Sequence, residues 1–110
     1  MSDVPNLLIE EYKSIVEQIE LFKKDIKSNQ ELVVRATHGG LVISGIGYSQ
    51  PSTLLFEGHD EQGNLSNMIQ HYTQASLILS AVFRNPQKPP RQPFGFLGDL
   101  GKDAQGTGSD

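Results

Sequence analysis

The sequence predicts an α+β domain with a long N-terminal helix, a three-stranded antiparallel sheet, a second amphipathic helix and a proline-rich C-terminal arm. Three observations support this prediction: a heptad-like apolar repeat near the start, strand-like runs between turn signals in the middle, and clustered prolines after residue 85. At 110 residues the chain has the size of one domain, which we expect over residues 1–97. Residues 98–110 are predicted to be a disordered tail because small and polar residues dominate them.

The composition excludes several kinds of site and partner. The chain has no cysteine, so it cannot contain a disulfide framework, a thiol nucleophile or a cysteine-based zinc site. Its formal net charge of −4 does not favour duplex DNA or anionic membranes as partners. No apolar run is long enough for a membrane span and the N-terminus does not resemble a signal peptide, so we expect a cytoplasmic location.

The first helix is predicted over residues 6–28. Its apolar residues recur at alternating steps of four and three, which is the 3.5-residue period of a coiled-coil seam. They are Leu8, Tyr12, Ile15, Ile19, Phe22 and Ile26. Such a stripe can pack on a sheet or meet its own copy in a symmetric dimer, and we expect both. Because only 36% of the residues are hydrophobic, a homo-oligomer through this helix would supplement a lean core, and its order stays open.

Three strands are predicted between the two helices. They are Glu31–Thr37, Leu41–Tyr48 and Thr53–Gly58, which places the antiparallel sheet over residues 31–58. The turn His38–Gly40 suits a tight hairpin because glycine adopts positive φ angles easily. Gly45 and Gly47 fall on one face of the second strand, which permits a bulge or the close approach of another backbone.

The second helix is predicted over residues 65–84, with Asn64 or Ser66 as its N-cap. No charged residue occurs from Gln62 to Phe83, unlike in an ordinary exposed helix. At helical spacing one face carries Asn67, Gln70, His71 and Gln74. Such neutral groups donate and accept hydrogen bonds at a low desolvation cost. This face therefore suits either a subunit interface or an uncharged ligand surface such as a nucleobase and ribose.

The arm over residues 85–97 combines basic and aromatic residues with prolines. In and beside it lie Arg84, Lys88, Arg91, Phe94 and Phe96. Guanidinium groups bind phosphate through paired N–H donors and aromatic rings stack on bases, so the arm suits a phosphorylated ligand. Arg35, in the middle of the first strand, would complete an anion pocket if it points to the same side.

No catalytic residue, metal ligand or cofactor is predicted. The three histidines do not have the spacing of a metal-binding motif, and the chain contains no nucleophile elbow or phosphate-cradling loop. The pair His59–Asp60 follows the third strand, where a loop end is a more frequent role than a base or a metal site. We therefore expect a protein that is not an enzyme.

The order of elements, together with the segment Leu54–Asn64 running into Met68–Gln74, resembles small proteins encoded by phages and prophages. In particular, residues 6–97 resemble the first-described family of Thoeris anti-defence sponges. Those oligomeric proteins bind and sequester cyclic ADP-ribose-type immune signals without cleaving them, and some also hold cyclic oligonucleotides. The resemblance implies a ligand site at a subunit interface and an action in the cytosol of the host cell during infection.

The resemblance also implies roles for individual side chains. The ring that stacks on a base would be that of Phe56, the polar contacts would come from Asn67, Gln70 and His71, and the phosphate ligands would be Arg84, Arg91 and Arg35. Phe94 or Phe96 would close the pocket.

A protein-interaction module of a phage or bacterial complex is the alternative prediction. Two segments, 86–89 and 90–93, fit a Pro-x-x-Pro pattern next to basic residues, a pattern that docks into aromatic grooves. This module would use the arm and the exposed helical faces. A third hypothesis is a structural phage protein whose oligomer is its entire function.

Overall fold

The structure, a computed structural model, describes residues 6–101 and consists of one α-helix and six strands. Along the chain they are α1 (Leu7–Lys23), β1 (Gln30–Ala36), β2 (Val42–Ser49), β3 (Thr53–His59), β4 (Leu65–His71), a short 3-10 helix (Tyr72–Gln74), β5 (Leu77–Phe83) and β6 (Gly95–Asp99). The predicted mixture of a three-stranded sheet and two helices is therefore wrong. The class is still a mixture of α and β, but the sheet dominates it.

The sheet forks along β2. Its strands follow the order β4-β3-β2-β1-β5 with antiparallel neighbours, and β6 pairs with β2 in parallel. Because β3 occupies one edge of β2 along its length, β1 and β6 must share the other edge. β1 pairs with the start of β2 only at Val34–Ile43 and Arg35–Val42, and β6 pairs with β2 from Gly45 onward.

A β-bulge at Ser44 produces this fork. The register between β2 and β3 shifts between Ile43 and Gly45, so Ser44 is an extra residue in β2. Its hydroxyl donates a hydrogen bond to the carbonyl oxygen of Glu57, at 3.3 Å. A bulge bends its strand and increases the local twist. β2 therefore turns away from β1 here, and its second half becomes available to β6.

The core lies between α1 and one face of the sheet. Six side chains are almost completely buried there: Phe56, Leu8, Ile19, Ile46, Leu54 and Val34. The helix contributes Leu8 and Ile19, and Tyr12 and Ile15 are partly buried. The stripe predicted to pack on the sheet thus does so, and these residues are not available to a partner. The helix-mediated dimer stays a prediction that would have to use the exposed side of α1.

α1 begins near the predicted position and ends five residues early. The side chain of Asn6 caps it by accepting a hydrogen bond from the backbone N–H of Ile9, at 3.1 Å. After Lys23 the N–H groups of residues 24–26 bond to carbonyls three residues back, which is the tighter 3-10 pattern. Ile26, the last residue of the predicted heptad stripe, therefore lies outside the helix.

The three predicted strands form within one residue of the predicted bounds, whereas the helix predicted over residues 65–84 is wrong. That segment forms β4 and β5. β4 pairs with β3 at seven positions and β5 pairs with β1 at seven positions, so the sheet provides the backbone partners that a helix would have supplied internally. In β4 exposed and half-buried residues alternate with the period of a strand. Between Leu65 and Phe83 the segment contains no lysine or glutamate, two residues that favour exposed helices.

The C-terminal segment returns onto the sheet as β6. A Cβ at Gly45 would lie 3.2 Å from the side chain of Leu97, and one at Gly47 would lie 2.6 Å from that of Leu100. The two glycines thus accommodate two leucine side chains, and the Gly98 carbonyl approaches the same surface. Residues 98–101 consequently belong to the folded part, and the rest of the predicted tail, 102–110, lies outside the described residues. Within residues 6–101, no helix is long and apolar enough to cross a membrane.

Candidate functional site

The fork between β1 and β6 opens a pocket of about 540 Å³, here called the fork pocket. Its base is apolar and includes Val33, Val42 and Ile43, at the point where β1 and β2 separate. Polar and aromatic side chains from the end of α1, the end of β3 and the arm line its rim. Pockets of about 300–1,000 Å³ with an apolar lining and a few polar groups are typical small-molecule sites.

Two cations and one carboxylate line the rim. Arg91 places its Nε 2.8 Å from Oε1 of Glu31, and Lys23 lies at the end of α1. Because the side chains of Arg91 and Glu31 are 52% and 22% exposed, solvent screens this pair and its contribution to stability is at most about 1 kcal/mol. Its main effect is to hold the guanidinium at the rim. The charged side chains that line the rim sum to one positive charge, and Lys23 is also paired with Glu20, outside the lining, at 3.9 Å.

The backbone of Leu32 also faces the fork pocket. The N–H of Ala36 donates to the carbonyl of Leu41, and the N–H of Thr37 donates to that of Ser76. Since backbone direction alternates along a strand, the even-numbered residues of β1 face β2 and the odd-numbered ones face β5. Within residues 6–101, β1 has no strand pairing on the β2 side before Val34. The N–H and C=O of Leu32 therefore point into the space where the strands have separated.

Phe94 provides the aromatic wall of the pocket. Its ring packs against the buried core on one side and lines the pocket on the other. The ring of Phe96 lies 5.5 Å away between centroids, inclined by 52°, and does not line the pocket. Because β6 starts at Gly95, pairing with β2 fixes the backbone next to Phe94. The ring is therefore positioned before any ligand arrives.

The structure brings two of the predicted site residues, Arg91 and Phe94, into this pocket. Arg35 lies exposed on the face of the sheet opposite the core, and Arg84 follows β5 with its N–H bonded to the carbonyl of Asn29. Neither of these arginines lines the fork pocket. Phe56 is completely buried in the core, where a ligand cannot stack on its ring.

The polar stripe predicted on the second helix is divided between surfaces. Asn67 and His71 lie on the exposed face of β4, whereas Gln70 points to the core side, opposite Leu54. The Oε1 atom of Gln70 is buried and has no hydrogen-bond partner within the described part of the chain. His71 is engaged locally, with its Nδ1 2.8 Å from the hydroxyl oxygen of Thr73. These residues do not form one ligand surface.

Sequence reasoning did not identify Lys23, Glu31 or Ser44 as parts of the site. Lys23 resembled an ordinary helix-terminal lysine, and the partner of Glu31 lies far along the chain. The available signal was the pair Gly45 and Gly47, which pointed to a bulge or a close approach on this strand. It indicated where the sheet is irregular, but not that a pocket opens there.

Asp60 organises the turn between β3 and β4. Its carboxylate accepts hydrogen bonds from the N–H groups of Asn64 and Gln62, both at 2.9 Å, and from the side-chain amide of Asn64 at 3.2 Å. These bonds, those from Asn64 above all, hold the pKa of Asp60 below its ordinary value. Among residues 6–101 no group of three or more acidic or histidine side chains is placed to hold a metal ion.

No protein-family model, curated protein or solved structure matches the chain.

Proposed function

We propose that the protein binds a small anionic nucleotide in the fork pocket and sequesters it without covalent chemistry. The proposed ligand class is a cyclic nucleotide signal, either of the cyclic ADP-ribose type or a cyclic oligonucleotide, held in the cytosol of an infected host cell. The observation that carries this proposal is the convergence of a guanidinium, an ammonium and an aromatic ring on one apolar-based pocket of about 540 Å³.

Each part of a nucleotide has a chemically suitable group in the pocket. The guanidinium of Arg91 and the ammonium of Lys23 suit phosphate oxygens, because charge-assisted hydrogen bonds are stronger than neutral ones. The ring of Phe94 suits a base, since aromatic side chains stack on every base. The N–H and C=O of Leu32 form a donor and acceptor pair, which matches the edge of a nucleobase.

Calorimetric titration with cyclic ADP-ribose isomers and cyclic dinucleotides tests this proposal, followed by heating and chromatography of the released ligand. Recovery of intact ligand supports sequestration, and recovery of a cleaved product contradicts it. We expect Arg91→Ala and Lys23→Ala each to weaken binding by about tenfold or more. Tenfold corresponds to the lower end of the energies of hydrogen bonds to charged groups, which suits an exposed rim.

Two further variants make the test specific to the fork pocket. Arg84→Ala removes an equally exposed arginine from the same part of the chain but outside the pocket, so binding should not change. Glu31→Gln removes the one carboxylate that residues 6–101 place in the pocket lining and should strengthen anion binding. A loss of binding with Arg84→Ala but not with Arg91→Ala would place the site elsewhere on the arm.

A protein-interaction module is the second candidate function, favoured by the unbroken run of exposed residues over 83–93. Two details count against docking as a polyproline helix. Lys88 donates its N–H to the carbonyl of Asn85 at 3.0 Å, which makes the first Pro-x-x-Pro segment a turn. In the second segment Arg91 is paired with Glu31. Replacing Pro86 and Pro89 with alanine should leave nucleotide binding intact but abolish docking of the first segment to an aromatic groove.

A further inference from the structure

In the described part of the chain, β4 forms an edge of the sheet that no further strand covers. It is one of the two terminal strands of the order β4-β3-β2-β1-β5, and its residues Leu65–His71 contain no proline, lysine or other charged side chain. Natural proteins usually protect such edges with charges, prolines or bulges, because an open edge pairs with other strands. β4 pairs with β3 at seven successive positions without a register shift, so it is regular along its whole length.

The free backbone groups of β4 belong to its odd-numbered residues. The N–H of Asp60 donates to Asn64, and the N–H of Tyr72 donates to Ser52, in the same register as the ladder between β3 and β4. Even-numbered residues of β4 therefore bond to β3. The odd-numbered residues of β4 point their N–H and C=O groups away from the sheet. They are Leu65, Asn67, Ile69 and His71.

The same odd-numbered residues carry the exposed apolar side chains of this edge. Leu65 is 77% exposed and Ile69 is 71% exposed, with the exposed Asn67 between them on the face opposite the core. The strand is therefore self-complementary about Asn67. In an antiparallel pair with a second copy, Asn67 faces Asn67 and Leu65 faces Ile69 on both sides of a twofold axis. Each of these facing pairs exchanges two backbone hydrogen bonds, because they lie at the hydrogen-bonded positions.

Charge also favours a second copy at this edge. Two copies of an acidic chain repel each other in general, but β4 presents no charge. The nearest acid on this face is Glu57, directly opposite Asn67 on β3. In the dimer the two Glu57 residues would be three strand spacings apart, about 14 Å. That distance exceeds the Debye length of about 8 Å at physiological ionic strength.

We propose that the protein forms a twofold dimer by antiparallel pairing of β4 with β4 of a second copy. The contact is isologous and therefore closed, so it satisfies the open edge without forming a fibre. It differs from a dimer through α1. The fork pocket lies between β1 and β6, so this proposal stands or fails independently of ligand binding.

Single-cysteine variants of the full chain test the pairing directly, because the native sequence has no cysteine. Facing residues at a hydrogen-bonded position have Cα atoms about 5.5 Å apart, within the range of a disulfide. We expect Asn67→Cys to cross-link rapidly to a dimer under mild oxidation. Ile78→Cys, exposed on the same face of the other terminal strand, β5, is the matched control and should cross-link far more slowly. Rapid cross-linking of Ile69→Cys instead of Asn67→Cys would overturn the proposed register.

Light scattering with size exclusion provides the second measurement. The wild-type chain should have twice its 12.1 kDa mass, and Ile69→Lys should reduce the mass to that of a monomer without loss of the circular dichroism spectrum. Leu21→Lys, on the exposed side of α1, should leave the dimer unchanged. A wild-type monomer over the whole concentration range, or a dimer that only Leu21→Lys dissociates, would overturn the proposal.

Discussion

Gly58 is the residue on which the bulge, and with it the fork pocket, most directly depends. It faces Ile43 in the register between β2 and β3, next to the extra residue Ser44. A Cβ at this position would collide with the carbonyl oxygen of Val42 and lie 3.0 Å from the Cα of Ile43. All of these are backbone atoms in paired strands, so no rotamer change can relieve the contact. We therefore expect Gly58→Ala to force one strand to shift.

The size of the expected destabilisation follows from two costs and one gain that opposes them. Overpacking costs about 1–3 kcal/mol or more, and each weakened backbone hydrogen bond adds about 1 kcal/mol. The reduced entropy of the unfolded chain returns about 0.4–1 kcal/mol. The net loss in the free energy of unfolding should be about 3 kcal/mol, which lowers Tm by roughly 12–24 °C for a domain of this size. Thermal and urea unfolding followed by circular dichroism measure this loss.

Gly39→Ala is the matched control. Gly39 has φ +78°, and a Cβ there would meet no atom within 4 Å. The substitution is therefore opposed only by the energy of holding alanine in the left-handed conformation, about 1–2 kcal/mol. If Gly58→Ala destabilises the protein no more than Gly39→Ala does, the bulge geometry and the explanation of the fork are both wrong. If Gly58→Ala destabilises the protein as expected, the variant molecules that remain folded should also bind a ligand of the fork pocket more weakly.

Three further predictions concern the C-terminal strand and the β3–β4 turn. Tyr12→Phe removes the hydroxyl that accepts a hydrogen bond from the N–H of Gly98 at 3.0 Å. We expect it to lower the free energy of unfolding by about 1 kcal/mol and to increase hydrogen exchange at the Gly98 amide. Unchanged exchange at Gly98 would argue against this bond. Gly47→Ala should destabilise the protein because the new Cβ would contact the side chain of Leu100. Leu100→Ala should relieve part of that destabilisation in the double mutant. Additive effects in the double-mutant cycle would exclude the contact. The lowered pKa of Asp60 means that its carboxylate stabilises the fold above the unfolded value of about 3.9, and that this contribution is lost as the pH falls through the folded pKa. NMR titration of the carboxyl group should show the lowered pKa, Asp60→Asn should remove this part of the pH dependence, and an ordinary pKa would refute the turn geometry.

Local patterns predicted the first half of the fold. The N-terminal helix and the hairpin of β1 and β2 follow from the spacing of apolar residues and from two adjacent glycines. Gly39 and Gly40 adopt φ angles of +78° and +64°, as a tight hairpin turn requires. These features depend on neighbours in the sequence, so they can be predicted without knowledge of the rest of the chain.

The segment 65–84 could not be assigned in the same way. Its apolar residues fit one broad helical face, but they also fit two short strands, and periodicity alone does not separate these possibilities. The open edges of β3 and β1 decided between them, because each supplied seven paired positions. The absence of charge from Gln62 to Phe83 was visible in the sequence. It fits β4 and β5, because uncharged strands can pack on a core or a helix and can pair with another strand.

The candidate site shows the same division. Arg91 and Phe94 were predicted from their chemistry in a basic, aromatic arm, and they do line the fork pocket. Lys23 and Glu31 were not predicted, because only the returning arm pairs Arg91 with Glu31 and closes the pocket that Lys23 also lines. By itself the sequence determined a lean, cysteine-free acidic domain with one amphipathic helix, a glycine turn and a basic arm. Only the tertiary structure decided which strand edges meet, where the sheet forks and which strands lie at its edges, since those outcomes depend on contacts between residues far apart in the chain.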